Sequence, residues 1–321
     1  VTSIDTKAKH TFVNSLKNCL PAYAPLPGEQ QWPVGLAQYF QIYGFDAVIA
    51  SAHSYEMGSL AVEGYELAAH QWRCDGARAE VLICHGLFDH VGLYLPLVSY
   101  LLQRQFNVIA YDLPEHGLSS GKFGELSDFQ VYENSLLELL QYFPASHLPR
   151  FAVGQSTGAA ILASVVLKNK LALSSMALLA PLLRVRAWSQ IKLAQVLLGP
   201  WLKTVRRSFS ANSHDRAFVE FLRDHDPLQA NEIATNWTAA MLRWEAGFDQ
   251  LETSSLPVLL LQGSGDKTVA YRHNIPRYRQ KFENMHLQMI DGGRHHLVAE
   301  APAWRTPCFD KLGAFFESFL Q

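Results

Sequence analysis

The 321-residue chain is 49% hydrophobic and 12% aromatic, with 17% charged residues and a formal net charge of −2. That is ample apolar side chain for one large domain with an insertion or for two domains, and it carries no basic excess of the kind that nucleic acid requires. Its four cysteines, Cys19, Cys74, Cys84 and Cys308, form no C-x-x-C pair, which argues against a zinc or redox motif and leaves disulfides undecided. No apolar run approaches the roughly 18 residues of a membrane span.

Residues 1–56 read as an extension ahead of the sheet pattern. Pro21, Pro25, Pro27, Gly28 and Pro33 mark an irregular stretch, after which Leu36, Tyr39, Phe40 and Tyr43 fall on one face of a short amphipathic helix. Docking of that face on the main core is the expectation. From Ser59 to Trp72 apolar residues come in strand-like groups, and a strand at Ala79 to Cys84 runs into His85-Gly86-Leu87-Phe88-Asp89-His90. A helix fits Leu93 to Gln105, and a buried strand at Asn107 to Tyr111 closes on the loop Asp112 to Gly121. Ser127 followed by Gln130 predicts a capping box for a helix with Phe129, Tyr132, Leu136, Leu139, Leu140 and Phe143 on one stripe.

Next comes Gly154-Gln155-Ser156-Thr157-Gly158, preceded by the apolar Phe151-Ala152-Val153 and followed by a small-residue helix from Ala159 to Leu167. Strand, sharp turn and helix is the setting that turns a G-x-S-x-G string into a nucleophile elbow, with Gly154 and Gly158 removing the collisions that side chains would make there. Ser174 to Leu179 is another strand, stopped by Pro181. The strand rhythm resumes at Pro257 to Leu261, followed by a helix near Val269 to Phe282, a strand from Met285 to Ile290 and a final helix. Thr306 before Pro307 predicts that helix's start, with Phe309, Leu312, Phe316 and Phe319 inward. Alternating strands and helices imply an α/β fold, a mostly parallel sheet flanked by helices. The division expected is a core at 57–181 and 251–321 with a helical cap at 182–250.

A serine hydroxyl needs a base within hydrogen-bond reach and a third group to orient that base. Beyond later strands stand Leu261-Gln262-Gly263-Ser264-Gly265-Asp266 and Asp291-Gly292-Gly293-Arg294-His295-His296. Ser156, Asp266 and His295 therefore follow strand ends in the order that an elbow predicts. Asp266 also suits an ordinary helix N-cap, and His296 competes with His295 as the base. His85 reads as a hydrogen-bond partner that organises its loop.

Within the insertion, Ile191, Ala194, Leu198, Trp201 and Val205 keep a helical stripe, with Gly199-Pro200 breaking it into two pieces. Arg184, Arg186, Lys192, Lys203, Arg206 and Arg207 surround it, and no acid occurs from 182 to 214. Two readings stand: a basic amphipathic lid resting on an anionic lipid surface, or an apolar stripe covering the site while the lysines and arginines face water. Trp237 to Trp244 reads as a further cap helix.

These segments resemble the α/β-hydrolase superfamily, and within it the monoacylglycerol lipase and lysophospholipase group once filed beside serine aminopeptidases. The matching residues are His85-Gly86 through Asp89-His90, Tyr94, the loop from Asp112 to Gly121, the elbow, Leu261 to Asp266, and Arg294-His295 with Glu300 five residues on. They span residues 57–320 and leave only the extension outside. The resemblance implies Ser156 as nucleophile, His295 as base, Asp266 as orienter, and an oxyanion hole from the backbone N–H groups of Leu87 and Thr157. Many relatives have histidine and methionine beside the nucleophile where this chain has Gln155 and Thr157, which leaves the backbone donors intact and puts the pocket floor in question. The expected activity is cofactor-free, metal-free hydrolysis of a small lipophilic ester through an acyl-enzyme, with an acyltransferase or thioesterase and a non-catalytic binder as alternatives. Peripheral contact of the cap with lipid is expected, and nucleic acid is not. Oligomeric state is left open, and a cytoplasmic setting is expected with export open, because the chain begins at Val1 rather than methionine.

Overall fold

The computed structural model describes residues 6–25, 33–199, 201–207 and 209–320; Pro27, Gly28 and Pro200 lie outside them. In chain order the extension supplies α1 (Thr6–Cys19), β1 (Ala24–Pro25), α2 (Val34–Tyr43) and α3 (Phe45–Ala50). The core opens with β2 (Ser54–Val62), β3 (Tyr65–Arg73) and β4 (Ala79–Cys84), a 3₁₀ turn at Val91–Tyr94, α4 (Leu95–Leu102) and β5 (Phe106–Tyr111). Then come α5 (Gln130–Leu139), β6 (Arg150–Gln155), α6 (Thr157–Leu167) and β7 (Ser175–Leu179). Outside the sheet follow α7 (Trp188–Leu198), β8 (Thr204–Arg206), α8 (Arg216–Glu220) with a π turn at Phe221–His225, β9 (Glu232–Ala234) and α9 (Thr235–Phe248). The chain returns with β10 (Val258–Gly263), α10 (Tyr271–Lys281), β11 (Met285–Ile290), a 3₁₀ turn at Leu297–Ala299 and α11 (Pro302–Glu317).

Among the described residues the main sheet has nine strands in the order β1-β2-β3-β5-β4-β6-β7-β10-β11. It is antiparallel through β1, β2, β3 and β5, and parallel from β5 onward. The inner parallel strands β4, β6, β7 and β10 are mostly apolar and buried because helices cover both of their faces, while the edge strand β11 is largely exposed. On one face Val81, Ile83, Phe151, Val153 and Leu261 meet Leu97, Leu312 and Phe316 of α4 and α11, together with Tyr39, Phe40 and Phe45 of the extension. On the other, Leu82, Ala152, Leu178 and Leu260 meet α5, α6, α9 and α10 through residues such as Leu136, Ile161, Met241 and Tyr278. Leu36, Tyr39 and Phe40 are buried, so the aromatic face of α2 is core, as its period implied.

Several boundaries depart from the sequence reading. The first long strand begins at Ser54, and Ala24–Pro25 pairs with it at Ala24↔Met57, so the extension adds an edge to the sheet. Ser127 does not cap α5: the Asp128 carboxylate accepts from the Gln130 N–H at 2.9 Å, because the helix starts at Gln130 and puts Asp128 nearer its free donors. The final helix starts at Pro302 rather than Thr306 and carries Pro307 inside. Proline costs nothing in the first helical turn and removes one hydrogen bond at Pro307, and burial of Cys308, Phe309, Leu312 and Phe316 holds the helix through it. The cap stripe also breaks: α7 ends at Leu198, and Val205 lies in β8, paired with Ile233 of β9. The β-branched Thr204 and Val205 favour an extended partner over a second helical turn, so the insertion holds a β-ribbon beside its helices.

Candidate active site

Parallel register places the strand ends level. Cys84 pairs with Gly154, Gln155 with Leu179, and Gly263 with Ile290. The residues immediately beyond, including Ser156, Asp266 and His295, are therefore delivered to one edge, where open α/β sheets place their ligands.

The elbow is as tight as its glycines suggest. Ser156 sits at φ 54°, ψ −109°, a conformation that costs a side-chain-bearing residue on the order of 1–3 kcal/mol. Its N–H donates to Leu179 O at 2.8 Å, while its carbonyl accepts from the N–H groups of Ala160 (3.1 Å) and Leu182 (3.1 Å). A Cβ at position 158 would stand 2.0 Å from the Cys84 carbonyl oxygen, and one at 154 would stand 2.6 Å from Ala159 Cα. Only glycine lets α6 start this close to β4 and β6.

From that turn Ser156 Oγ reaches His295 Nε2 at 3.1 Å, and His295 Nδ1 reaches Asp266 Oδ2 at 2.8 Å. Asp266 Oδ1 accepts from the N–H groups of Thr268 (2.7 Å) and Val269 (3.1 Å), and Gln262 Nε2 donates to Oδ2 at 3.0 Å. The carboxylate thus caps its own turn with one oxygen while the other faces the imidazole; it is not the N-cap of α10, a place held by Ala270. Burial alone would raise the Asp266 carboxyl, and the neighbouring imidazole with those hydrogen bonds brings it below the ordinary value. For His295 burial pushes down, and the charge of Asp266 outweighs it, so the imidazole stands above its ordinary value. That pairing suits a base that must hold a proton briefly.

His296 is spent elsewhere. Its Nε2 lies 3.2 Å from Asp89 Oδ1 and its Nδ1 accepts from Ala299 N–H at 3.2 Å. The turn that aims His295 is tied by Glu300, which accepts from the N–H groups of Arg294 (2.6 Å) and His214 (2.7 Å). Leu87 and Thr157 both line the cavity at Ser156, Thr157 at the start of α6, where backbone N–H groups lack helical partners. Tyr94 supports the Leu87 turn by accepting from Gly86 N–H at 3.0 Å and donating to Asp89 Oδ2 at 2.9 Å. His85 organises its loop: its Nε2 accepts from Leu113 N–H at 2.9 Å, and its Nδ1 faces Gly86 O at 2.8 Å.

Two features escaped sequence reasoning. Gln155, which stands where relatives were expected to have histidine, donates from Nε2 to His295 O at 2.9 Å, tying the elbow to the histidine loop. Arg207, one of the cap cations expected either against a lipid surface or facing water, instead lines the cavity. No single-residue signal separates it from Arg206, whose side chain is exposed; only the end of the β8 ribbon turns one inward.

The cavity over Ser156 has a volume of about 580 Å³, within the usual range for a small-molecule site. Ile191, Ala194 and Leu198 of α7, Val205, Ile233 and Met241 give it an apolar wall. Among the described residues no helix is long and apolar enough to cross a membrane.

The family described as serine aminopeptidase, S33, matches residues 75–302. Mouse (Mus musculus) monoglyceride lipase is 29% identical over 258 residues, covering 75% of this chain and 83% of that protein. The crystal structure of a soluble variant of monoglyceride lipase from Saccharomyces cerevisiae, in complex with a substrate analog, superposes with a TM-score of 0.72 at 16% identity, covering 80% of this chain and 93% of that one. Monoacylglycerol lipase from Paleococcus ferrophilus gives 0.69 at 20% identity, covering 79% and 99%.

Proposed function

Because the chain belongs to the serine aminopeptidase, S33, family and is a carboxylic ester hydrolase of the α/β-hydrolase fold, we propose that Ser156, His295 and Asp266 are its catalytic triad and that it cleaves lipophilic esters of the monoacylglycerol or lysophospholipid kind. The observation that carries this reading is the continuous hydrogen-bonded line from Asp266 through His295 to Ser156 Oγ. It ends beneath a cavity walled with apolar side chains.

In the reaction so proposed, Ser156 Oγ attacks the ester carbonyl while His295 Nε2 takes its proton. The N–H groups of Leu87 and Thr157 stabilise the oxyanion, and His295 returns the proton to the departing alcohol. Water, activated by the same imidazole, then releases the acid from the acyl-enzyme. The family's description names an aminopeptidase, but the cavity favours an acyl chain over a peptide amino terminus. Asp89 is the one carboxylate among the described residues lining it, and that side chain already faces His296 and Tyr94.

The cap supports contact with lipid. Leu193, Val196, Leu197 and Trp201 are exposed, Trp201 at 85%, on and just beyond the helix whose opposite side faces the cavity. An apolar surface beside the site mouth would let substrate pass from a lipid phase into the enzyme.

The test is turnover of p-nitrophenyl esters of graded chain length and of a monoacylglycerol. Ser156→Ala and His295→Ala are each expected to lower kcat by roughly 10⁴ to 10⁶, whereas His296→Ala retains the acyl-enzyme chemistry. Loss of turnover in His296→Ala with retention in His295→Ala would overturn the assignment of the base. Transfer to an added acceptor alcohol in place of hydrolysis would make the enzyme an acyltransferase.

A further inference from the structure

Among the described residues that line the cavity, Arg207 is the one lysine or arginine. It stands just past β8, fixed by its backbone N–H to Asn231 O at 2.8 Å. Its guanidinium lies between two rings, 3.9 Å from the centroid of Phe88 and 4.4 Å from that of Phe209. Phe88 follows Leu87, so the positive charge stands beside the proposed oxyanion turn.

The polar contacts of this guanidinium are one-sided. Nη1 donates to Gln229 Oε1 and, at 3.5 Å, to Ala230 O. Nε and Nη2 donate to nothing among the described residues, although a guanidinium carries five N–H donors in a planar fork. No carboxylate of the described residues lies within ion-pairing distance of it. The two whose charge it feels, Asp89 and Asp226, face His296 and His90, each at 3.2 Å. Burial lowers the Arg207 pKa to about 10, which leaves it charged at neutral pH. Ring faces hold the cation in place without neutralising it. A partly buried cation with unused donors, at the wall of a substrate cavity, is built for an anion.

We propose that Arg207 receives a phosphate group carried by the alcohol half of the ester, so that the enzyme prefers a lysophospholipid with an anionic head group to an uncharged monoacylglycerol. This rests on the ester-hydrolase reading and narrows its substrate. The acyl tail is uncharged and suits the wall formed by Ile191, Leu198 and Val205; the anion must then belong to the leaving group, which departs beside Phe88. The planar fork matches two phosphate oxygens at once, and Ser210 and Asn212, which also line the cavity, add neutral polar groups.

The experiment compares kcat/KM for a lysophosphatidylglycerol and a monoacylglycerol of the same acyl chain, in mixed micelles of one detergent, for wild type, Arg207→Met and Arg207→Lys. Wild type is expected to favour the phosphate-bearing ester by roughly ten- to a hundredfold, the span of a charge-assisted hydrogen bond. Arg207→Met should collapse that ratio toward one, and Arg207→Lys should keep part of it, because a point charge survives while the fork is lost. Glycerol 3-phosphate should inhibit wild type at least tenfold more strongly than glycerol, an arm that needs no variant to fold. A wild-type ratio at or below one, or a ratio unchanged in Arg207→Met, would overturn the proposal. Inorganic phosphate inhibiting as strongly as glycerol 3-phosphate would assign the site to the free anion and overturn it too. If no p-nitrophenyl ester of the graded chain-length series is turned over, the ester-hydrolase reading fails; turnover without charge preference sinks only the role of Arg207.

Discussion

A serine held at φ 54° over the start of a helix has little freedom in where its hydroxyl points, and His295 is held as firmly. Its carbonyl accepts from Gln155, its Nδ1 meets Asp266, and its loop is tied through Glu300. The electrostatics of the pair have a consequence in pH. Burial acts against the imidazolium, Asp266 more than offsets it, and His295 stands above the ordinary histidine value. A base works only when unprotonated, so kcat/KM is expected to fall as pH drops through a midpoint above about 6.5. Asp266→Asn removes the attraction; the midpoint should move down while kcat falls by about 10⁴. A pH–rate profile of the two proteins checks this, and a midpoint that stays put in Asp266→Asn would show that the carboxylate does not control the imidazole.

At the scale of elements, legibility followed period and context. The strand at Ala79–Cys84 and the elbow helix were readable, because a buried parallel strand is a short, mostly apolar run and the pentad marks its own turn; Met285–Ile290, a largely exposed edge strand, shows apolar and polar residues in alternation instead. The placement at one rim of the three residues proposed as a triad was readable for the same reason: Ser156 follows β6 directly, and Asp266 and His295 stand in the turns after β10 and β11. The starts of α5 and α11 were not: Ser127 and Thr306 satisfy local start rules, yet the free N–H of Gln130 is taken by Asp128 and the final helix starts at Pro302. Nor was the β8–β9 ribbon, whose pairing of Val205 with Ile233 joins residues far apart in sequence. The inward turn of Arg207 depends on that ribbon, which is why sequence alone left it among the surface cations. For α7, Ile191, Ala194 and Leu198 of the stripe line the cavity, while Leu193, Val196 and Leu197, off the stripe, are exposed and carry the proposed contact with lipid. Replacing Leu193, Leu197 and Trp201 by serine is therefore expected to weaken binding to phospholipid vesicles at least tenfold in a sedimentation assay. Equal partition of variant and parent would remove the cap from the membrane-contact proposal.

Across the whole molecule, one buried cluster joins extension, core and cap. Asp226 of the cap accepts from Tyr43 Oη at 2.6 Å and faces His90 Nε2 at 3.2 Å, so α2 of the extension helps seat the lid over the sheet. Other buried histidines set the response to acid. His70 is pushed down to about 3 by burial and by the charge of His90, His85 to about 3 by burial and His116, and His116 to about 4 by burial. A histidine depressed in the folded state takes up its proton on unfolding once pH falls below its unfolded value near 6.5, so its stability is present above that value and lost below it. Each costs up to about 1.4 kcal/mol per pH unit in that window. His90 and His295 are shifted upward; their stabilisation is complete below pH 6.5 and fades as pH rises through their folded values, so it does not cancel the slope. Urea denaturation is expected to show stability falling steadily from pH 6.5 to about 4.5, and a flat profile there would mean that these imidazoles are charged or hydrated in the native state.

The fold brings strand ends from across the chain to one rim, and the central claim is that Ser156 becomes acylated there. Treatment with one equivalent of an alkyl fluorophosphonate, followed by digestion and mass spectrometry, reads that directly. A single adduct on the peptide carrying Ser156, lost in His295→Ala, is the expected result. An unmodified Ser156 peptide, or an adduct on any other residue in an enzyme that still hydrolyses esters, would contradict it.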